Sequence, residues 1–335
     1  MRINSSLVRI VPIGMVIVIA AMGCAAQQAV EPEPEPEAVG EEEYPSRTVE
    51  IIIGWGAGGG TDIFTRTVDM YVRREMGVPL VEINMPGASG AKATAYVMEQ
   101  PADGYTLYAH STEVLSNPLV DVSPYTHEDL TPIIRAHVDV AALHVLPGTF
   151  DTWESFVAEG KKRPLTIGGC GAASSDELSA AMVAEWAGFK FKYVPYEAAG
   201  EMHAALLGGH IDAMYEEYSV VLPLIDDGGI QPIFTFKTER LERFPDTVSL
   251  GDFNWEQTPL LWRALSVKKG TPEHIVEYLE RLYTEALDSQ MYKLFARDRL
   301  LDLVPGYLGS KDFAADLARE TKIYEDVMKE LGYID

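Results

Sequence analysis

Cysteine is nearly absent from this 335-residue chain, with only Cys24 and Cys170 present, which excludes a disulfide framework and a cysteine-rich zinc site. The seven histidines (His110, His127, His137, His144, His203, His210 and His274) show no ligand spacing such as H-x-x-x-H, so neither a metal site nor a metal cofactor is expected. Positive charge is also scarce: 27 Lys+Arg face 51 Asp+Glu, a formal net charge of −24. A polyanion has no attraction for phosphate backbones, so nucleic acid is excluded as a partner. No G-x-S-x-G elbow surrounds Ser174 or Ser175, which argues against a serine hydrolase. What is present is 47% hydrophobic and 10% aromatic, enough to bury one or two cores, and two compact domains are the default for this length.

Residues 1–23 carry Arg2 and Arg9, then an apolar run from Ile10 to Ala21 broken by Pro12 and Gly14. The run is shorter than the ~20 residues that a membrane-crossing helix needs, and it reads as a signal peptide. Ala21-Met22-Gly23-Cys24 resembles the bacterial lipobox, which implies lipidation of Cys24 and attachment to the membrane through that anchor only. More than one acyl chain is what holds such a protein stably on a bilayer. Residues 24–43 contain Glu31, Glu33, Glu35 and Glu37 alternating with prolines, then Glu41-Glu42-Glu43. This stretch has little to bury and reads as a semi-rigid, self-repelling acidic tether.

From Tyr44 the chain alternates strand and helix patterns, the signature of an α/β fold with a mostly parallel sheet. Val49–Ile53 reads as a buried strand followed by the glycine loop Gly54–Gly60 and a helix from Thr61 to Met76, ended by Gly77 and Pro79. Strand Leu80–Asn84, a second glycine loop Pro86–Gly90 and helix 91–100 repeat the unit, and Tyr105–Ala109 adds a third strand. Ile133–Leu146 has the length of a strand pair that crosses between domains. Beyond it, helices over 153–160 and 175–186 start from capping boxes at Asp151/Glu154 and Ser174/Glu177. Short strands over 165–167, 193–194, 211–214 and 231–236 accompany them, and helices over 271–287, 290–298 and 310–331 close the chain, the first with Thr271 as N-cap and Pro272 at its first position.

Gly54-Trp55-Gly56-Ala57-Gly58-Gly59 fits G-x-G-x-x-G between a strand and a helix, which by motif is a dinucleotide fingerprint. An exported NAD-dependent oxidoreductase is therefore the alternative enzyme reading, although the acid that should hold the ribose is displaced: Glu82 lies before the strand end and Asn84 occupies it. The other reading needs no nucleotide. Glycine loops let backbone N–H groups converge on an anion at a helix N-terminus, and two such loops after adjacent parallel strands open on the same rim of the sheet. Plain tight turns account for either loop alone.

Taken in order, Tyr44-Pro45-Ser46-Arg47, Gly58-Gly59-Gly60-Thr61-Asp62 with Arg66, Asn84-x-Pro86-Gly87-Ala88-x-Gly90, Pro101-x-Asp103-Gly104-Tyr105-Thr106-Leu107, Val194-Pro195-Tyr196 and Leu207-Gly208-Gly209-His210-Ile211-Asp212 resemble the extracytoplasmic receptors of tripartite tricarboxylate transporters, also called Bug receptors. The resemblance spans Tyr44 to Asp335. It implies a two-lobed periplasmic-binding-protein fold, type II-like, with crossover strands as a hinge, lobe 1 formed by 44–143 plus 262–335 and lobe 2 by 144–261. It implies a monomeric receptor, not an enzyme, on the periplasmic or cell-surface face of the membrane, without a cofactor. Such a receptor captures a small organic carboxylate (a di- or tricarboxylate, an amino acid or an aromatic acid) and delivers it to a permease of one large and one small subunit. By position the ligand residues are Trp55, Gly58, Gly59, Gly60, Thr61, Asp62, Ser89, Gly90, Ser111, Thr112, Gly171, Ser174, Ser175, Tyr196 and Asp212. A receptor that reports its ligand to a signalling membrane protein would carry the same motifs.

Several positions depart from the family pattern. Gly54 and Ala57 loosen the first loop where a Pro is usual, and Met85 stands where Arg often precedes Pro-Gly. Lys92, in the first turn of a helix, opposes the dipole by roughly 0.3–1 kcal/mol and either faces solvent or meets a ligand carboxylate. Glu177 completes the capping box or pairs with a ligand ammonium. Glu197, where relatives often carry Lys or Arg, favours a less anionic or zwitterionic ligand. Cys170 reads as a buried free thiol rather than a nucleophile, Trp262 and Arg263 as packing on the return crossing, and Tyr215-Glu216-Glu217 as either cleft lining or solvated loop.

Overall fold

Val49–Ile53 (β1) is apolar at every position but Glu50, and Val49, Ile51, Ile52 and Ile53 are fully buried, as a strand covered on both faces requires. The computed structural model describes residues 44–255 and 258–335; the expected signal peptide, Cys24 and acidic tether lie outside them. β1 pairs in parallel with β2 (Leu80–Asn84) and β3 (Thr106–His110). The ten-residue β4 (Leu130–Asp139) leads out of this sheet, and the chain turns at Val140 into β5 (Ala141–Val145) of a second sheet. There β6 (Leu165–Cys170) pairs in parallel with β7 (Phe191–Tyr196) and β8 (Ala213–Glu217), while β5 runs antiparallel between β8 and β9 (Gln231–Thr235), beside the short β10 (Val248–Ser249). The return strand β11 (Leu261–Lys268) inserts antiparallel between β3 and β4, and β12 (Leu308–Gly309) closes the edge. Ala141–Leu143, expected in the first lobe, thus sit in the second sheet, and the return begins at Leu261.

Helices follow each parallel strand. α1 (Gly60–Met76) presents Phe64, Val68, Val72 and Met76 at a spacing of four, one buried stripe, and stops at Gly77 in the left-handed conformation with φ 75°. Together with α8 (Glu273–Asp288) it covers the face carrying Ile51, Ile53 and Leu107; α9 (Gln290–Asp298) follows beside it. The opposite face, with Ile52 and Tyr108, is covered by α2 (Ala91–Glu99), α3 (Glu113–Leu119) and α10 (Ser310–Glu330). In the second sheet α4 (Trp153–Lys162) and α5 (Ser175–Ala187) enclose an aromatic core, and α6 (Ala199–Leu207) with α7 (Tyr218–Asp226) covers Met214 and Ile211.

The structure corrects several local expectations. α4 is capped by Thr152 and Ser155, each hydroxyl accepting the other's backbone N–H at 3.2 Å, not by Asp151 and Glu154. α8 begins one residue later than expected, with Pro272 at the N-cap position and the Thr271 hydroxyl donating to the Lys268 carbonyl. α3, α6 and α7 are not expected from the sequence; they are seven to nine residues long, and α3 and α7 contain Pro118 and Pro223. Phe234 is fully buried, 4.7 Å from Trp153 and 5.2 Å from Phe236 between ring centroids. Phe234→Ala should lower stability by about 3–5 kcal/mol, the range for a large aromatic truncated in a core, read as the shift of a urea unfolding midpoint.

Candidate functional site

Because parallel strands point the same way, the helices that follow them begin on one rim of each sheet. One cavity of about 50 Å³ lies where the two rims meet, lined by residues at the starts of six helices. From the first sheet come Trp55, Gly59, Gly60 and Thr61 at α1, Ser89 before α2, and Ser111, Thr112 and Glu113 at α3. Ser174, Ser175 and Asp176 at α5, Glu197 and Ala199 at α6, and Glu216 and Glu217 before α7 come from the second. α1, α2, α3, α6 and α7 have no side-chain cap at their N-termini. Their first N–H groups and aligned dipoles make the cavity receptive to an anion.

Of the residues expected to bind, nine line this cavity: Trp55, Gly59, Gly60, Thr61, Ser89, Ser111, Thr112, Ser174 and Ser175. The other six serve the loops around it. Asp62 accepts from Gly58 N at 2.9 Å, Arg66 Nε at 2.8 Å and Asn84 Nδ2 at 2.9 Å, bracing the glycine loop. Gly58, Gly90 and Gly171 supply positive φ values of 81°, 87° and 76°, and a Cβ on Gly171 would stand 2.9 Å from the Trp55 ring. Tyr196 packs with the α6/α7 core. Asp212 binds Arg163 through both oxygens, at 2.7 and 2.9 Å, and also accepts from Thr166 N at 2.7 Å. Burial works against its charge, and Arg163 with the Thr166 donors outweighs burial and lowers its pKa.

Asn84 is equally committed: its amide donates to Trp55 O and Asp62 while its oxygen accepts from Arg66. Glu82 is held by Arg73, so neither candidate for a ribose contact is available and the dinucleotide reading loses its acid. Lys92 is exposed outside the cavity, its aliphatic stem over Gly87. The Ser174 hydroxyl accepts from Glu177 N at 3.4 Å, one half of the expected box, while Glu177 accepts from Ala173 N at 2.7 Å, one residue before Ser174, and from the Tyr333 hydroxyl at 2.9 Å.

The charged lining was the less legible part. Arg263, read as packing, is a buried guanidinium that pairs with Glu217, lies 3.3 Å from Asp139 and donates to Ser111 Oγ at 2.9 Å. Burial works against its charge, and Glu217 and Asp139 overcome that and raise its pKa. Asp139 is held down to about 2, because Arg263 and His137 outweigh the burial that would raise it. Burial first, then the Glu217 carboxylate, pushes Asp176 up to about 7. The same two causes raise Glu216 well above the carboxylate range, and burial raises Glu113. Cys170 also lines the cavity; burial and then Glu216, Asp176 and Glu217 push its thiol up, which leaves it a thiol and not a nucleophile. An arginine inside the apolar strand β11 was the signal available for this cluster, since a buried arginine needs partners.

Residues 64–332 match the model of the tripartite tricarboxylate transporter family receptors. The chain belongs to that family. It is 27% identical over 327 residues, 95% of both chains, to the UPF0065 protein in the gbd 5′ region of Cupriavidus necator, and 26% identical to protein BugT of Bordetella pertussis over 86% of this chain and 90% of that one. A TctC solute-binding protein from Polaromonas is 30% identical with a TM-score of 0.63, the coverage being 86% of this chain and 99% of that one. The Rhodopseudomonas palustris protein Rpa4515, solved with adipate, aligns with a TM-score of 0.81 at 24% identity over 87% and 99% of the two chains. The two sheets are therefore those of the two-lobed periplasmic-binding fold, and this receptor family, not an enzyme family, replaces the oxidoreductase alternative. Among the described residues no helix is long and apolar enough to cross a membrane.

Two predictions test this reading of the receptor's residues. Asp212→Ala should cost about 1–3 kcal/mol of stability for its lost charged hydrogen bonds and leave ligand affinity within about twofold, measured by urea unfolding and calorimetry. The second concerns pH. Asp176 and Glu320, both near 7, keep protons in the folded chain between about pH 4 and 7 that the unfolded chain has lost, so they weaken the fold as pH rises through that window. Glu113, Glu216 and Asp69, also raised, have the same sign. His110 and His144, pushed by burial to about 4 and about 3, have the opposite sign and act below pH ~6.5; His127 and His203, also lowered by burial, act with them. The melting temperature should rise as pH falls from 8 to 6.5, and Asp176→Asn should shrink that rise.

Proposed function

We propose that the chain is a lipid-anchored extracytoplasmic receptor that captures a small organic carboxylate and hands it to a tripartite permease. The observation that carries this reading is the convergence of five uncapped helix starts on one cavity in a chain of this receptor family. Backbone N–H groups at Gly60, Thr61 and Thr112 would donate to the carboxylate, with ordered water completing its shell. The adipate of Rpa4515 and the malate bound to MatC of Rhodopseudomonas palustris support an organic acid as the ligand class.

The described residues fall into two lobes, 44–139 with 261–335 and 141–255 with 258–260, joined through Val140 and the return into β11. Closure is favoured by a ligand only through contacts that improve in the closed state. Contacts of that kind already span the lobes: Ala172 N donates to Ser89 Oγ at 2.9 Å, and Thr112 Oγ lies 3.4 Å from Ser175 Oγ. Cys24 is the anchor, residues 24–43 the tether, and the large and small permease subunits the partners of a monomeric receptor.

A thermal-shift screen of di- and tricarboxylates, amino acids, aromatic carboxylates and NAD(H) tests the reading. A ligand that binds only the folded chain stabilises it by RT ln(1 + [L]/Kd), about 2.7 kcal/mol at a hundredfold excess over Kd. At least one organic acid should shift the melting temperature and NAD(H) should not. Gly60→Val should abolish that shift, because a Cβ there stands within 2.9 Å of the Arg263 Nε and Cζ atoms and displaces the guanidinium from the cavity wall. A shift with NAD(H) and none with any acid would overturn the receptor reading.

A further inference from the structure

The two walls of the cavity differ in charge. The wall from the first sheet offers mainly the backbone N–H groups at the start of α1, Gly60 and Thr61, and its one carboxyl, Glu113, is turned inward onto Tyr108 OH at 3.0 Å and Ser111 N at 2.9 Å. The wall from the second sheet carries Asp176, Glu197, Glu216 and Glu217. Among the described residues that line the cavity, Arg263 is the one lysine or arginine, and it is committed to Glu217 and Asp139. Asp176 receives neutral donors, Cys170 N at 2.8 Å and Ser175 Oγ at 3.2 Å. Glu216 receives Glu217 N at 3.2 Å and the His203 ring at 2.7 Å, and burial lowers the pKa of that ring and so opposes its positive form.

A dianionic ligand entering here would add negative charge beside these acids in a water-poor site, where an uncompensated charge is costly. A bound metal would offset it, but no three His, Cys, Asp or Glu side chains among the described residues are placed to hold one. A ligand with its own positive charge does so directly. We propose that the cleft selects an organic acid that also bears an ammonium group, its carboxylate on the start of α1 and its ammonium between Asp176 and Glu216. This rests on the carboxylate-receptor reading and narrows it. Each of those carboxyls keeps lone pairs beyond the donors it already has, and an ammonium supplies three donors and the missing charge. The segregation of the walls also fixes which end of the ligand faces which lobe.

Calorimetric titration of the purified protein at pH 7.5 with acid pairs that differ by one ammonium tests this: succinate against aspartate, glutarate against glutamate, butyrate against 4-aminobutyrate, with adipate and malate as plain acids. The tightest binder should be an ammonium acid, at least tenfold tighter than its partner without nitrogen. Asp176→Asn and Glu216→Gln should each shrink that ratio. A tightest binder without nitrogen, or a ratio below tenfold, overturns the proposal and leaves the receptor reading standing. Ratios unchanged in both folded variants overturn the assignment to Asp176 and Glu216; should the variants not fold, the wild-type ratio alone decides. Binding of no acid in the panel overturns the proposal, and the wider thermal-shift screen then decides the receptor reading.

Discussion

The Arg263 guanidinium ties the two halves of this protein together and shapes the site between them. It leaves the return strand β11, meets Asp139 at the end of the outgoing strand β4 and Glu217 at the end of β8 in the opposite sheet, and reaches Ser111 after β3. A buried ion cluster of this kind adds little net stability over apolar packing, but removing one member leaves a bare charge and costs about 3–5 kcal/mol. Its value here is positional. The same guanidinium presses against Gly60, where any side chain would collide with it, so one glycine of the loop is required by an arginine two hundred residues away.

That contact changes what the glycine loop means. A G-x-G-x-x-G string after a strand has the same local physics whether the backbone must approach a pyrophosphate or a protein group. In this chain the loop is braced from within by Asp62 and Asn84. Three loops leading into helices at the site donate to carboxylates of the chain itself: Gly58 N to Asp62, Ser111 N to Glu113, and Cys170 N and Ala173 N to Asp176 and Glu177. The chain thus spends part of its anion-binding capacity on fixing its own loops. What remains for a ligand is the uncapped N–H groups facing the cavity.

The α/β order, a crossing strand pair within 133–146 and most helix boundaries were legible because they depend on periodicity and on local breakers such as Gly77; the place of the crossing, Val140, was not. The failures were local as well. α3 and α7 carry an internal proline, and α4 takes its cap from Thr152 one residue beyond the better-looking Asp151. Within the site, residues that reach the cavity through their own loop, such as Trp55, Ser89 and Ser175, were legible from position. Asp212 is held by Arg163, 49 residues earlier in the chain, a partner at a distance no pattern reports. Arg263 and Glu217 were missed as a pair for the same reason.

Acidity is the last case in which long-range structure decides the meaning of a residue. Most Asp and Glu among the described residues are exposed or half-buried, where charges interact weakly beyond a Debye length of about 8–10 Å. The handful at the cavity obey different rules. Asp176 and Glu216 are buried beside Glu217, so each either keeps its proton or needs a cation, and the one guanidinium nearby is already shared by two other carboxylates. A composition count treats all of these residues alike. Burial separates the few that constrain the ligand from the many that only keep the surface hydrated, and the constraint they impose concerns the sign of charge a guest must bring.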